Sequence, residues 1–157
     1  MTNKILVGTW KLISWETKTS EGIILYPFGK NVIGYLSYTD KGYMSAMIMR
    51  NDCLSITISS EEFMKARTTL LKPLLLLFKW QELKTLFKYL QVATNYISYS
   101  GKYEIQGNKV LHHVEISFLP DWIGTTIERT FEITGEKLLL ISPPIGGSPQ
   151  YLTWQRV

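Results

Sequence analysis

The stretch VLHHVEIS, residues 110–117, sets two histidines and a glutamate among apolar residues. Imidazole and carboxylate are the groups of metal sites and of acid–base pairs, so the spacing must decide which chemistry is open. The neighbours are largely β-branched, which favours a strand, and in a strand successive side chains point to opposite faces. His112 and His113 therefore cannot easily hold one ion together. His113 and Glu115 share a face, but it is the face that also carries Lys102, Glu104, Glu128 and Glu132, the solvent side, with no evident third ligand. No metal site is expected.

Strand register then decides what His112 meets. EIQGNKVL places Gly107-Asn108 between two alternating runs, and EITGEKLL does the same with Gly135-Glu136. Glycine at the first central position suits a two-residue type II′ hairpin turn. These turns pair Ile105 with Val110, Tyr103 with His112, Tyr99 with Ile116, Phe131 with Leu140, and Arg129 with Ser142. A connection symmetric about Pro120-Asp121 adds Ile127 opposite Val114 and Arg129 opposite His112. One face then collects residues such as Val110, Val114, Ile116, Phe118, Phe131 and Leu140, and must be the interior. Into it project Tyr103, His112, Arg129 and Ser142, a cross-strand row.

An unpaired arginine in an apolar interior costs several kcal/mol (order of magnitude), so Arg129 requires a partner. One possibility is a structural row satisfied by Tyr103, Ser142 and water. The other is an anionic or carbonyl oxygen of a ligand, which the guanidinium fork grips with two parallel hydrogen bonds. Beside that charge His112 is biased towards the neutral form, fit for hydrogen bonding or for taking a proton. The expected ligand wall is Tyr99, Ile116, Ile127 and Phe131, with Tyr103, His112, Arg129 and Ser142 as the polar set. No G-x-S-x-G elbow, phosphate-binding loop or dinucleotide fingerprint is present, and no cofactor is expected. PPIGGSPQ, residues 143–150, reads as a loop.

The elements that must position these residues follow from the pattern. The chain has 157 residues, enough for one domain spanning 1–157, and is 45% hydrophobic and 13% aromatic. Strands are expected near 7–17, 23–26, 32–39, 43–50, 95–106, 109–118, 124–134, 137–142 and 150–156. Such a meander closes most economically into an up-and-down antiparallel barrel, with a sandwich as the alternative. Between the two β-rich parts lies a helical insertion, about 60–92. SSEEFMKARTTLLK opens with Ser59 or Ser60 as N-cap, and Pro73 permits a second helix over 73–90. On that helix Leu76, Trp80, Leu83, Leu86, Phe87 and Leu90 share one face. LLLLF at 74–78 is apolar all round, which leaves a lid, a homodimer contact or a peripheral membrane contact open, though charges at 79–88 argue against a membrane span.

The net charge of +4 comes mainly from Lys65, Arg67, Lys72, Lys79, Lys84 and Lys88 in this insertion. That is not the groove of basic and stacking residues a nucleic-acid binder uses. The single cysteine, Cys53, excludes an internal disulfide, and MTNKILVGTW has no signal-peptide pattern, so the expected location is cytoplasmic.

VGTWKLISWE at 7–16 resembles the first strand of lipocalins and fatty-acid-binding proteins, whose G-x-W closes one barrel end. Trp10 and Arg156 of TWQRV correspond to the tryptophan and the late basic residue that pack together in lipocalins. Together with EGIILYPFGKNVIGYLSYTDKGYMSA, YISYSGKYEI, VLHHVEISFLPDWIGTTIERTFEI and YLTWQRV, this stretch is similar to the bacterial and fungal lipocalin-like domain family, of the calycin type. The resemblance implies a barrel of eight to ten strands around a hydrophobic cavity. The helical stretch from about Lys72 to Leu90 departs from the short link usual in that family.

Three functions are thus expected. The first is a barrel enclosing a small, mostly hydrophobic molecule with one polar or anionic group, with Trp80 beside the mouth. The second is a cofactor-independent cyclase or isomerase of natural-product biosynthesis acting on a conjugated apolar substrate, with Arg129 stabilising an oxyanion and His112 or Tyr103 moving a proton. The third is a partner-binding module that uses the leucine-rich helix.

Overall fold

A computed structural model describes residues 4–51, 59–71, 80–145 and 147–157. The chain divides into two compact units, Met1–Asn51 with Tyr96–Val157, and Asp52–Asn95.

The first unit is a closed antiparallel barrel. Its strands are β1 (Gly8–Lys18), β2 (Ile24–Leu25), β3 (Val32–Tyr38), β4 (Tyr43–Arg50), β5 (Tyr96–Gln106), β6 (Lys109–Ser117), β7 (Thr126–Thr134), β8 (Lys137–Ile145) and β9 (Ser148–Arg156). Each pairs with its neighbour, β1 pairs with β9, and β2 only flanks the end of β1, so eight strands form the ring. The alternation read from the sequence reappears as burial: β3 buries Val32, Gly34, Leu36 and Tyr38 and turns the residues between them outward. Gly107 and Gly135 have φ of 62° and 59°, whereas Asn108 and Glu136 stay at negative φ, as a type II′ turn requires.

One end of the barrel is plugged. Trp10 is fully buried, donates from Nε1 to the carbonyl of Leu6 (2.9 Å), and lies under the Arg156 guanidinium at 4.1 Å from its ring centroid. Arg156 in turn donates to the carbonyls of Val7 and Ile5 and pairs with Glu136. Gly8 is required here, because its φ is 135° and a Cβ would stand 2.8 Å from Arg156 Nη1. The partnership expected of Trp10 and Arg156 is present in full.

Two registers differ from expectation. β5 and β6 pair Tyr103 with His112 and Ile105 with Val110, but Gly101 faces Val114 while Ser100 faces Ile116, so Glu115 is a bulge residue. A Cβ on Gly101 would collide with the carbonyl oxygen of His113, so the strands approach this closely only at glycine. Beyond the bulge the facing of β6 is inverted. Tyr99 pairs with Ser117, and Ile116, expected in the ligand wall, is 70% exposed; Phe118 is exposed as well. On the other side β6 pairs Val110 with Arg129 and His112 with Ile127, a slip of two residues from the symmetric loop. The cause is the 3-10 turn Pro120–Trp122 followed by Gly124, which makes the connection lopsided. A slip of two preserves facing, so Arg129 still points inward but stands diagonal to His112 rather than opposite it. PPIGGSPQ is also corrected: β8 runs to Ile145 and β9 starts at Ser148, with Gly147 in the turn.

The second unit holds α1 (Ser60–Leu70) and α2 (Trp80–Ala93). Ser59 caps α1 in a reciprocal box: the Glu62 N–H donates to Ser59 Oγ, and the Ser59 N–H donates to the Glu62 carboxylate at 2.8 Å. Phe63 of α1 stacks on Tyr89 of α2 at 4.1 Å, and Ala66 and Thr69 are buried. Leu83 and Leu86 are half-buried, but Trp80, Phe87 and Leu90 are exposed, so the stripe expected on one face of α2 is covered only in part. Pro73 and the LLLLF run lie outside the described residues.

Candidate functional site

The barrel encloses a cavity in which the centre of a water-sized sphere can move over about 190 Å³. A single buried water needs only ~10–15 Å³ by that measure, so the space suits an organic molecule. Its wall is apolar, with Leu36, Ile48, Leu140, Leu152, Trp15 and Trp154 prominent. These are inward positions of β1, β3, β4, β8 and β9. Ile97 and Tyr99 of β5 and Trp122 of the 3-10 turn complete the wall, and Arg129, Ser142 and Gln150 supply its polar groups.

Those polar groups differ in how far the protein already satisfies them. Gln150 is fully engaged: it accepts from Trp15 Nε1 (2.9 Å) and donates to Thr17 Oγ1 and to the carbonyl of Ser148. Ser142 donates to the carbonyl of Pro143. Arg129 is buried, and among the described residues no carboxylate pairs with it; its charge acts on the Tyr99 hydroxyl, whose pKa it lowers against the effect of burial. Trp154 is 1% exposed, and its buried Nε1 has no acceptor among the described residues. Of the polar groups that line the cavity, Arg129 carries the charge.

Behind Arg129 lies a buried aromatic relay. Tyr99 Oη is 3.1 Å from Nδ1 of His112, and Tyr38 Oη is 2.8 Å from Nε2. Burial, reinforced by the Arg129 charge and more weakly by His113, depresses the His112 pKa to about 3, so the ring is neutral. One tyrosine donates to the unprotonated ring nitrogen and the other accepts from the ring N–H, so both nitrogens of the neutral imidazole are satisfied. Burial also raises the pKa of both Tyr38 and Tyr99, although the Arg129 charge opposes the shift at each.

The expected site residues separate accordingly. Tyr99, Arg129 and Ser142 line the cavity together. His112 is fully buried beneath it, and Tyr103, its cross-strand partner, instead donates to the carbonyl of Thr39. Phe131 belongs to the packed core, and Ile127 lines a separate outer hollow. Ile116 is on the outside, and Trp80, 67% exposed, belongs to the helical unit. His113 is half-exposed and bonds to Thr126 Oγ1. Among the described residues no group of three His, Cys, Asp or Glu could hold a metal, and no helix is long and apolar enough to cross a membrane.

Sequence reasoning missed Tyr38, Trp15, Trp122 and Trp154. Tyr38 carried a usable signal, since it ends the inward series Val32, Gly34, Leu36. Its meeting with His112 did not, because β3 and β6 are not adjacent and the contact crosses the barrel.

An eight-stranded up-and-down barrel, plugged at one end by a tryptophan–arginine pair and hollow within, is a lipocalin-like barrel. The lipocalin-like domain profile matches residues 7–157, and the chain belongs to that family. It is 37% identical over 76 residues to the 4'-hydroxy-3'-methoxypropiophenone carrier protein of Aspergillus oryzae, covering 40% of this chain and 68% of that protein. Among solved structures it is similar to a lipocalin-like protein from Bacteroides uniformis (TM-score 0.45, 12% identity, 97% of this chain and 98% of the other). It is also similar to the fluorescent protein UnaG (TM-score 0.41, 14% identity, 100% of both chains).

Proposed function

We propose that this barrel carries a small, mostly apolar molecule whose acceptor oxygen (carboxylate, phenolate or ketone) is held by Arg129. The observation that carries the reading is a buried arginine on an apolar cavity with no carboxylate among the described residues to neutralise it. A guanidinium so placed is costly unless an acceptor arrives, and a ligand oxygen provides one. The Aspergillus oryzae relative is named as a carrier of an aromatic ketone bearing hydroxyl and methoxy groups. A molecule of that chemistry supplies an apolar body with an acceptor oxygen.

Carriage is favoured over cyclisation or isomerisation. Of the three residues expected to act in an enzyme, only Arg129 lines the cavity. His112 has both nitrogens occupied by tyrosines and a pKa near 3, which makes it a poor base at neutral pH. Mass spectrometry of small molecules extracted from purified protein tests the reading: an aromatic or otherwise apolar compound bearing an acceptor oxygen is expected at near-stoichiometric amount. Recovery of none, together with no saturable binding of aromatic carboxylates or ketones, would overturn it.

A further inference from the structure

The ladder between β7 and β8 stops short. It runs from Thr134–Lys137 to Thr130–Ile141, although β7 begins at Thr126 and β8 continues to Ile145. Beyond that point each strand is held from its other side only, β7 by β6 and β8 by β9. The sequence explains the parting: Pro143 and Pro144 have no N–H with which to extend a ladder. Between the diverging strands is an outer hollow of about 250 Å³, lined by Trp122, Ile127, Glu128, Arg129 and the two prolines, with Thr126 at its edge.

This hollow is continuous in its walls with the internal cavity, because Trp122 and Arg129 line both. Its charge is not symmetrical. Glu128 is answered by Lys109 at 2.7 Å, whereas Arg129 has no carboxylate among the described residues. An anion reaching the outer hollow therefore comes to a wall that Trp122 and Arg129 share with the cavity.

We propose that the cleft between β7 and β8 is a side entrance to the barrel. An apolar aromatic molecule bearing a carboxylate, sulfonate or phenolate docks in the outer hollow with its acid group on Arg129, and passes inward as the Trp122 side chain turns aside. This rests on the carrier reading above and adds the route. Arg129 then acts twice, as the recognition point outside and as the anchor inside.

The test blocks the cleft and times passage through it. Pro144→Cys, in a Cys53→Ser background, is reacted either with a bulky maleimide or with methyl methanethiosulfonate. Binding and release of 1-anilinonaphthalene-8-sulfonate are then followed by stopped-flow fluorescence. The bulky adduct is expected to slow both rates at least tenfold, and the small adduct to leave them within twofold. The same maleimide on Glu132→Cys, exposed farther along β7, is expected to change them less than twofold. Should Pro144→Cys fold poorly, Thr126→Cys on the opposite lip carries the same adducts. Rates unaltered by the bulky adduct, or slowed equally from Glu132, overturn the side entrance alone. Absence of saturable probe binding by the unmodified protein overturns the carrier reading and the entrance with it.

Discussion

Tyr99 and His112 meet at 3.1 Å, Oη to Nδ1, and this bond joins the floor of the cavity to the packed end of the barrel. On one side of it Tyr99 and Arg129 line the cavity wall together, and the Arg129 charge acts on the Tyr99 hydroxyl. On the other side His112 reaches Tyr38 at 2.8 Å, within the apolar core. Arg129 thus stands beside a chain of groups that are themselves closed to solvent. Tyr99 is its middle member, and the one that both lines the cavity and touches the imidazole.

The neutral imidazole makes stability depend on pH. His112 has a folded-state pKa of about 3 against an ordinary 6.5, so between these values the unfolded chain binds a proton that the folded one refuses. Stability therefore rises with pH across that window and the penalty is absent above it. From pH 7 down to pH 5 this residue alone is expected to remove about 2 kcal/mol, at ~1.4 kcal/mol per pH unit once below 6.5. Urea unfolding at several pH values checks this. His112→Gln should flatten the slope between pH 7 and 5, and an unchanged slope would show that other groups set it.

Tyr38 serves the relay from outside the cavity. Tyr38→Phe keeps the ring contact with Tyr103, at 4.7 Å between centroids, but strips Nε2 of its only partner. A buried nitrogen left unsatisfied costs about 1–3 kcal/mol. The variant should unfold at lower urea by that amount while binding 1-anilinonaphthalene-8-sulfonate within threefold of the parent. A large loss of binding with unchanged stability would contradict this division of roles.

Gly101 decides the facing of β6. In Gly101→Ala the new methyl meets the carbonyl oxygen of His113, and the bulge at Glu115 must open or shift. Overpacking of this kind costs about 1–3 kcal/mol. Thermal unfolding should show it as a fall of ~2–4 °C per kcal/mol for a chain of this size. An unaltered midpoint would mean that the two strands do not approach so closely.

The same glycine marks where reading the sequence stops. Alternation and two glycine-first turns made the strands, the meander and the inward facing of Tyr99, Arg129 and Ser142 legible, because a hairpin turn fixes pairing by local chemistry. A glycine inside the YISYSGKYEI strand pattern signalled a bulge, and without using it Ile116 is assigned to the wrong face. The connection through Pro120–Trp122 obeys no such local rule, and its 3-10 turn shifts Arg129 from opposite His112 to opposite Val110. Partners across the barrel, Tyr38 with His112 above all, depend on how the sheet curves to closure. That is set by the whole strand arrangement and not by any short stretch of residues.

Arg129→Met tests the anchor directly. Methionine keeps most of the bulk and removes the charge, so the effects on folding and on binding should diverge. Folding gains, because a buried guanidinium without a carboxylate is replaced by an apolar chain; burial of this kind is often neutral or stabilising by about 1–4 kcal/mol. Binding of an aromatic carboxylate should weaken at least tenfold, the equivalent of about 1.4 kcal/mol. A neutral isostere such as the corresponding methyl ester, which asks less of the guanidinium, should weaken by a smaller factor. His112 stays neutral: with Arg129 gone one cause of its depressed pKa disappears but burial, the larger cause, remains, so the pH dependence of stability between 7 and 5 should be retained. Paired titrations of acid and ester, run beside urea unfolding at two pH values, read all of these effects on one pair of proteins. Equal affinity of the two proteins for the acid, with a more stable variant, would reduce Arg129 to a structural residue and sink the carrier reading at its anchor.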